Sequence, residues 1–223
     1  MQPRTLAILI TVFPLLASNG AFLLSASEGL ISWCMPYIDG CTTISNAGRS
    51  GDTIFYYRAL VFPYSVLLLL FWLYSKKWLD LLNGHSTKAA LSMMWLGVIG
   101  SIGLLIYIDF LGTTGEINNL MRRMGAALYF ILIPLAQCLM LYQHYKILRN
   151  RPDESINIKV LQYQFVIVLL MTIIAVASIF IVMTGNDTSE IENIVEWNFS
   201  LLVNLYSAGM ILIWKDYRQV FNR

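Results

Sequence analysis

The residues best equipped for chemistry fall in two short stretches, SNAGRSGDTIFYYRALVFP (Ser45 to Pro63) and GTTGEINNLMRRMG (112–125). Together they hold Arg49, Arg58, Arg122 and Arg123, with Ser45, Asn46, Tyr56 and Tyr57 close by in sequence. A guanidinium grips phosphate or carboxylate through two parallel N–H groups, which the ammonium of lysine cannot do. Arg58 stands six residues after Asp52, at the mouth of a strongly apolar run. Amphipathic tyrosine rings suit that same interfacial level. A charge there is costly unless paired, so two readings of Arg58 stand side by side. In one it snorkels and pairs with Asp39, Asp52 or Asp109. In the other it binds an anionic lipid headgroup, with Tyr57, Tyr56, Asn46 and Ser45 around it. Arg122 and Arg123 are weaker candidates for that headgroup, because adjacent residues of a helix point in different directions. One of the two is expected simply to meet lipid phosphate. Asp109 is a candidate ion-pair partner, and Asp39 is both an ordinary turn residue beside Gly40 and a candidate acid or base. Asp52 reads as an N-cap whose carboxylate accepts backbone N–H groups.

Other chemistries lack their residues. The chain has two histidines, His85 and His144, and neither supplies the paired ligands of a membrane haem or the base of a serine triad. A zinc centre commonly needs three or four Cys, His or carboxylate ligands. Here it would have to draw on outer acids and Cys34 and Cys41, so no metal and no cofactor is expected, with only a carboxylate-bound calcium left open. Cys34 and Cys41 have six residues between them. A redox pair usually shows Cys-x-x-Cys spacing, and thiols outside the cytoplasm are normally oxidised, so a structural disulfide is the better reading. Cys138 reads as a small buried apolar group.

The elements that position these residues are apolar runs. Of the 223 residues, 57% are hydrophobic and 13% charged, with a mean hydropathy of +0.64. Soluble domains carry about 25% charged residues, and this chain could not cover a water-facing surface. A span needs about 20 apolar residues. Six such runs are expected: Leu6–Ala26, Thr53–Tyr74, Ala89–Leu111, Met124–Tyr145, Leu161–Met183 and Trp197–Trp214. The predicted fold is therefore all-α, a single six-helix transmembrane domain over residues 1–223, with the outer loop 27–52 as an ordered cap. Arg4, the first run and LSAS before Glu28 resemble a signal peptide. The run exceeds the 7–15 residues usual for such a core, and a true first helix is expected.

Orientation follows from the basic residues. Arg4, Lys76, Lys77, Lys88, Lys146, Arg149, Arg151, Lys159, Lys215, Arg218 and Arg223 fall on the side of the termini, 11 of the 15 and every lysine. The other side receives Arg49, Arg58, Arg122 and Arg123, with nine of the thirteen acids. Both termini are thus expected in the cytoplasm, in a plasma, inner or endomembrane. A solute transporter usually breaks its helices near the midplane. The mid-span polar residues here, Asn19, Gln137, Ser178 and Asn204, can be ordinary interhelical hydrogen-bonding groups.

Six spans, a long first outer loop and the run ISNAGRSGDTIFYYRALVFP resemble the family that includes Sfk, Frag and the DRAM autophagy modulators. The likeness is greatest to its branch of the second post-GPI-attachment factor. It is carried by a small-polar segment, Ile44 to Ala47, before an aromatic, arginine-bearing helix entry at Tyr56, Tyr57 and Arg58. The resemblance implies a part in lipid or lipid-anchor remodelling, restoring an acyl chain at the outer or luminal leaflet. It transfers Ser45, Asn46, Tyr57 and Arg58 as motif positions and no catalytic residue. The expected partners are membrane lipids with an anionic headgroup and, in the alternative of a non-enzymatic sensor or scaffold, a membrane protein. Nucleic acid is not among them.

Overall fold

Long apolar runs satisfy their backbone groups by coiling, since a bilayer core offers no other partner. The computed structural model describes residues 1–150, 156–185 and 188–214, and among them every regular element is a helix. The six long ones are α1 (Pro3–Ser27), α4 (Thr53–Asn83), α5 (Lys88–Phe110), α6 (Glu116–Asn150), α7 (Ile158–Thr184) and α8 (Ser189–Ile213). Two short ones, α2 (Pro36–Asp39) and α3 (Ile44–Arg49), lie in the first connection. The six expected runs each fall within or close to a long helix. Several helices overrun them: KKWLDLLN, read as loop, completes α4, which stops at Gly84 with φ +74°. Most of the second outer connection likewise belongs to α6. Arg151, Asp187, Lys215, Arg218 and Arg223, which entered the charge count, lie outside the described residues.

Among the described residues, five of the long helices are long and apolar enough to cross a membrane, α8 being the exception. Glu192, Glu196 and asparagines at 193, 198 and 204 dilute its hydropathy. The fold is that of a membrane-compatible helical bundle. Thr87 and Asn157 cap α5 and α7 through their side chains. Asp52 does not cap α4 in this way: it sits at the N-cap position with helical φ and ψ, and its carboxylate receives no backbone N–H.

Interhelical packing relies on small residues, as membrane interfaces do. A Cβ on Gly125 would lie 2.6 Å from the carbonyl oxygen of Gly103, so α5 and α6 touch backbone to backbone. The cap is fastened to two helices. Ser25 of α1 donates to the Ala47 carbonyl (2.8 Å), and Tyr37 donates to Asn19 (3.1 Å). From α8, Asn193 donates to the carbonyl of Gly40 (2.7 Å), Trp197 to that of Thr42 (2.8 Å) and Asn198 to that of Tyr37 (2.8 Å). Gly40 has φ +60° and lies so near Glu190 that no side chain fits. Cys34 and Cys41 are joined by a disulfide, as expected.

Candidate functional site

Beneath α3 lies a cavity of about 540 Å³, within the range of small-molecule sites. Its walls are α1, α4, α5, α6 and α8, at the end where α4, α6 and α8 begin. The lining is graded. Arg49, Arg122, Arg123, Glu192 and Glu196 stand with Ser45 on the polar side; Tyr57, Tyr64, Tyr107 and Tyr129 contribute hydroxyls; Val61, Leu104 and Phe130 are among the apolar residues. Tyr64 and Tyr129 meet hydroxyl to hydroxyl at 3.0 Å and are buried. Tyr107, also buried, lies beside Ser45 and Tyr57 on the cavity wall. A second polar depression of about 400 Å³, lined by Asn46, Ser50, Thr113, Thr114, Asn119 and neighbouring residues, shares Arg49 and Arg122 with the first.

The four arginines at this end of the bundle have different fates. Arg58 does not line the cavity. Its Nη2 donates to the carbonyls of Leu111 (2.6 Å) and Asp109 (3.1 Å), tying α4 to the last turn of α5, where free carbonyls and the negative dipole end favour a cation. Asp109 takes part through its carbonyl oxygen, not its carboxylate, which is exposed. Arg49 reaches Asn46 Oδ1 at 3.5 Å. Arg122 and Arg123 both line the cavity, although adjacent on α6. Neither has a hydrogen-bond or ion-pair partner among the described residues.

Of the other sequence candidates, Tyr57 and Ser45 line the main cavity and Asn46 the second. Tyr56 turns away, donating to the Leu16 carbonyl (2.8 Å) and packing over Gly20. Asp39 lies on the cap surface, accepting from the Met35 N–H (2.7 Å), and lines neither cavity. Tyr64, Tyr107, Tyr129 and Glu196 were not among the candidates, and Arg49 stood in the sequence only as one of the four arginines, with no role assigned. Glu196 had one signal, an acid immediately before an apolar run. It lies outside that run, close to the backbone N–H groups of Ile44 and Ser45. Burial pushes its carboxyl up to about 7, Glu192 adds to the rise, and the two N–H groups oppose it. No protein-family model, curated protein or solved structure matches the chain.

Proposed function

We propose that this is an integral membrane protein of six spans, both termini cytoplasmic, that binds an anionic lipid near the outer or luminal leaflet. In this reading the cavity is the lipid site and the protein takes part in acyl-chain remodelling of that lipid or of a lipid anchor. One observation carries the binding reading: the guanidinium groups of Arg122 and Arg123, without hydrogen-bond or ion-pair partners among the described residues, border a cavity that turns from cationic to aromatic to apolar. That gradient matches an amphiphile with an anionic head. Arg58, the motif arginine, supports the site indirectly by holding α4 and α5 together. The remodelling step rests on the resemblance of the Ser45–Arg58 segment to the Frag/DRAM/Sfk family.

The test is mass spectrometry of lipids retained by the gently purified protein and by Arg122→Ala/Arg123→Ala. One enriched anionic lipid, lost in the double variant, is the expected result. A retained mixture matching the bulk membrane in both proteins would remove the lipid site. Supplying the enriched lipid with an acyl donor then separates remodelling from sensing: a product with a changed acyl chain supports the first. Binding without turnover supports a sensor or a scaffold, for which the exposed outer half of α7 offers a surface to a membrane-protein partner.

A further inference from the structure

We propose that the lipid enters the cavity sideways, through the seam between the outer halves of α6 and α8, past Phe130 and Phe199. This rests on the reading of the cavity as a lipid site and assigns its entrance. The other walls are closed by packing or hydrogen bonds. Tyr56 joins α4 to α1, and Arg58 joins α4 to α5. Gly103 and Gly125 bring the backbones of α5 and α6 together. Phe22 and Trp197 stack edge to face between α1 and α8, centroids 6.1 Å apart, and the cap is fastened across the same pair of helices. Above the cavity lies α3.

The α6–α8 seam differs. At mid-span it is latched in both directions: Gln137 Nε2 donates to the Val203 carbonyl (3.0 Å), and the Tyr206 hydroxyl donates to the Gln137 carbonyl (2.9 Å). Outward of the latch, Phe130 and Phe199 face each other with centroids 6.2 Å apart. Cavity-lining residues flank the seam on both sides, Ala126 and Phe130 on α6 and Glu196 and Ser200 on α8. The helix that contacts both walls, α7, leaves this level uncovered. Its buried residues run from Val160 to Met171, and none follows. Only 11% of its most apolar window is buried, against 33–44% in the other four candidate spans. The outward part of α7 faces lipid, and the bilayer therefore reaches the seam.

The depths agree with an amphiphile's dimensions. Phe130 lies seven residues beyond Arg123, about 10 Å along the helix at 1.5 Å per residue. A headgroup held at Arg122 and Arg123 would place its acyl chain at the two phenylalanines. Two rings with no hydrogen bond between them can part by rotamer change, whereas the latch below keeps the helices together. The polar depression above, lined by hydroxyls and amides, suits a headgroup but not a chain.

The experiment ties the seam shut. Phe130→Cys/Phe199→Cys, in a Cys138→Ala background, is bridged with a bifunctional thiol reagent and reconstituted in phosphatidylcholine vesicles. Exchange of an acyl-labelled phosphatidic acid is then followed. The bridged protein should exchange at least about tenfold more slowly than the same variant treated with a monofunctional reagent, a factor equal to about 1.4 kcal/mol of added barrier. Unchanged exchange would overturn the seam and leave the lipid site intact. Failure of the wild-type protein to capture labelled phosphatidic acid above the vesicle background would overturn the site and the entrance together. If the cysteine pair does not fold, phosphatidic acid with a mid-chain diazirine tests the wild type: labels on Ala126, Phe130, Phe199 or Ser200 support the route, and labels confined to outer faces such as Ile99 and Ile102 of α5 refute it.

Discussion

Arg58 and the pair Arg122–Arg123 lie at the same end of the bundle and carry the same charge, yet their surroundings give them opposite tasks. Arg58 is half-buried and donates to two carbonyls at the end of α5. Its charge is met within the protein, and its loss would be felt as loosened packing. Arg122 and Arg123 border the cavity with no partner among the described residues. An arginine at a membrane interface is thus neither a ligand site nor a snorkel by type alone. The distinction is whether backbone acceptors lie within its reach.

The largest expected effect comes from the unpartnered pair. Hydrogen bonds to charged groups contribute about 1.5–3 kcal/mol each, so Arg122→Ala/Arg123→Ala should weaken phosphatidic acid binding by about 100-fold or more. Thermal unfolding in detergent should barely move, because no hydrogen bond or ion pair among the described residues is lost. Arg58→Ala should do the reverse. It leaves two carbonyls without their donor and should destabilise the fold by about 1–3 kcal/mol, with lipid affinity unchanged; a variant as stable as the wild type but unable to hold lipid would invert the comparison.

The cap offers a smaller effect that sharpens the same contrast. Trp197→Phe keeps the aromatic packing on Phe22 and Tyr37 but removes the bond to Thr42. It should cost about 1–2 kcal/mol, read as lowered thermal stability, and should leave the preference for anionic over zwitterionic lipid unchanged. Equal retention of anionic and zwitterionic lipid in that variant would mean that the position of α3 also sets specificity.

The smallest effect concerns Glu196. Arg122, Arg123, Arg49, Glu192, Ser45 and Tyr107 line the cavity with it. With its carboxyl pushed up to about 7, it is largely neutral below that pH and anionic above it. An anionic headgroup is repelled only by the charged form, so affinity should fall as pH rises through 7, by a factor of about 10 for one nearby charge worth about 1.4 kcal/mol. Glu196→Gln should flatten that profile while keeping the low-pH affinity. A profile that keeps its slope in the variant would assign the titration to another group.

Much of the helical architecture was legible without coordinates. Runs of about 20 apolar residues have one stable arrangement in lipid, an α-helix, and each expected run falls within or close to a long helix. The disulfide was legible because Cys34 and Cys41 stand only seven positions apart in one connection. Where helices overran the runs, as in KKWLDLLN and GEINNLMRR, the sequence was polar but still helix-forming, and hydropathy alone carries no stop signal there. The capping role of Asp52 failed for a local reason: its backbone is already helical, which turns the carboxylate away from the N–H groups it would accept.

Composition, local sequence and chain order determined that this chain is apolar and helical, that its first connection is tied by a disulfide, and that the basic residues of its first and third connections and the helix starts beside them, Arg49, Arg58, Arg122 and Arg123, are all arginine. Only the tertiary structure decided which arginine meets a carbonyl and which meets a cavity. That choice depends on how each helix is rotated about its axis, and rotation is set by packing between distant residues. Gly103 on Gly125 brings α6 against α5, while Arg123 borders the cavity. The carbonyl of Leu111, 53 residues from Arg58, lies within reach only because α4 and α5 pack side by side. Neither relation is a property of a neighbouring residue, so neither could be read along the chain.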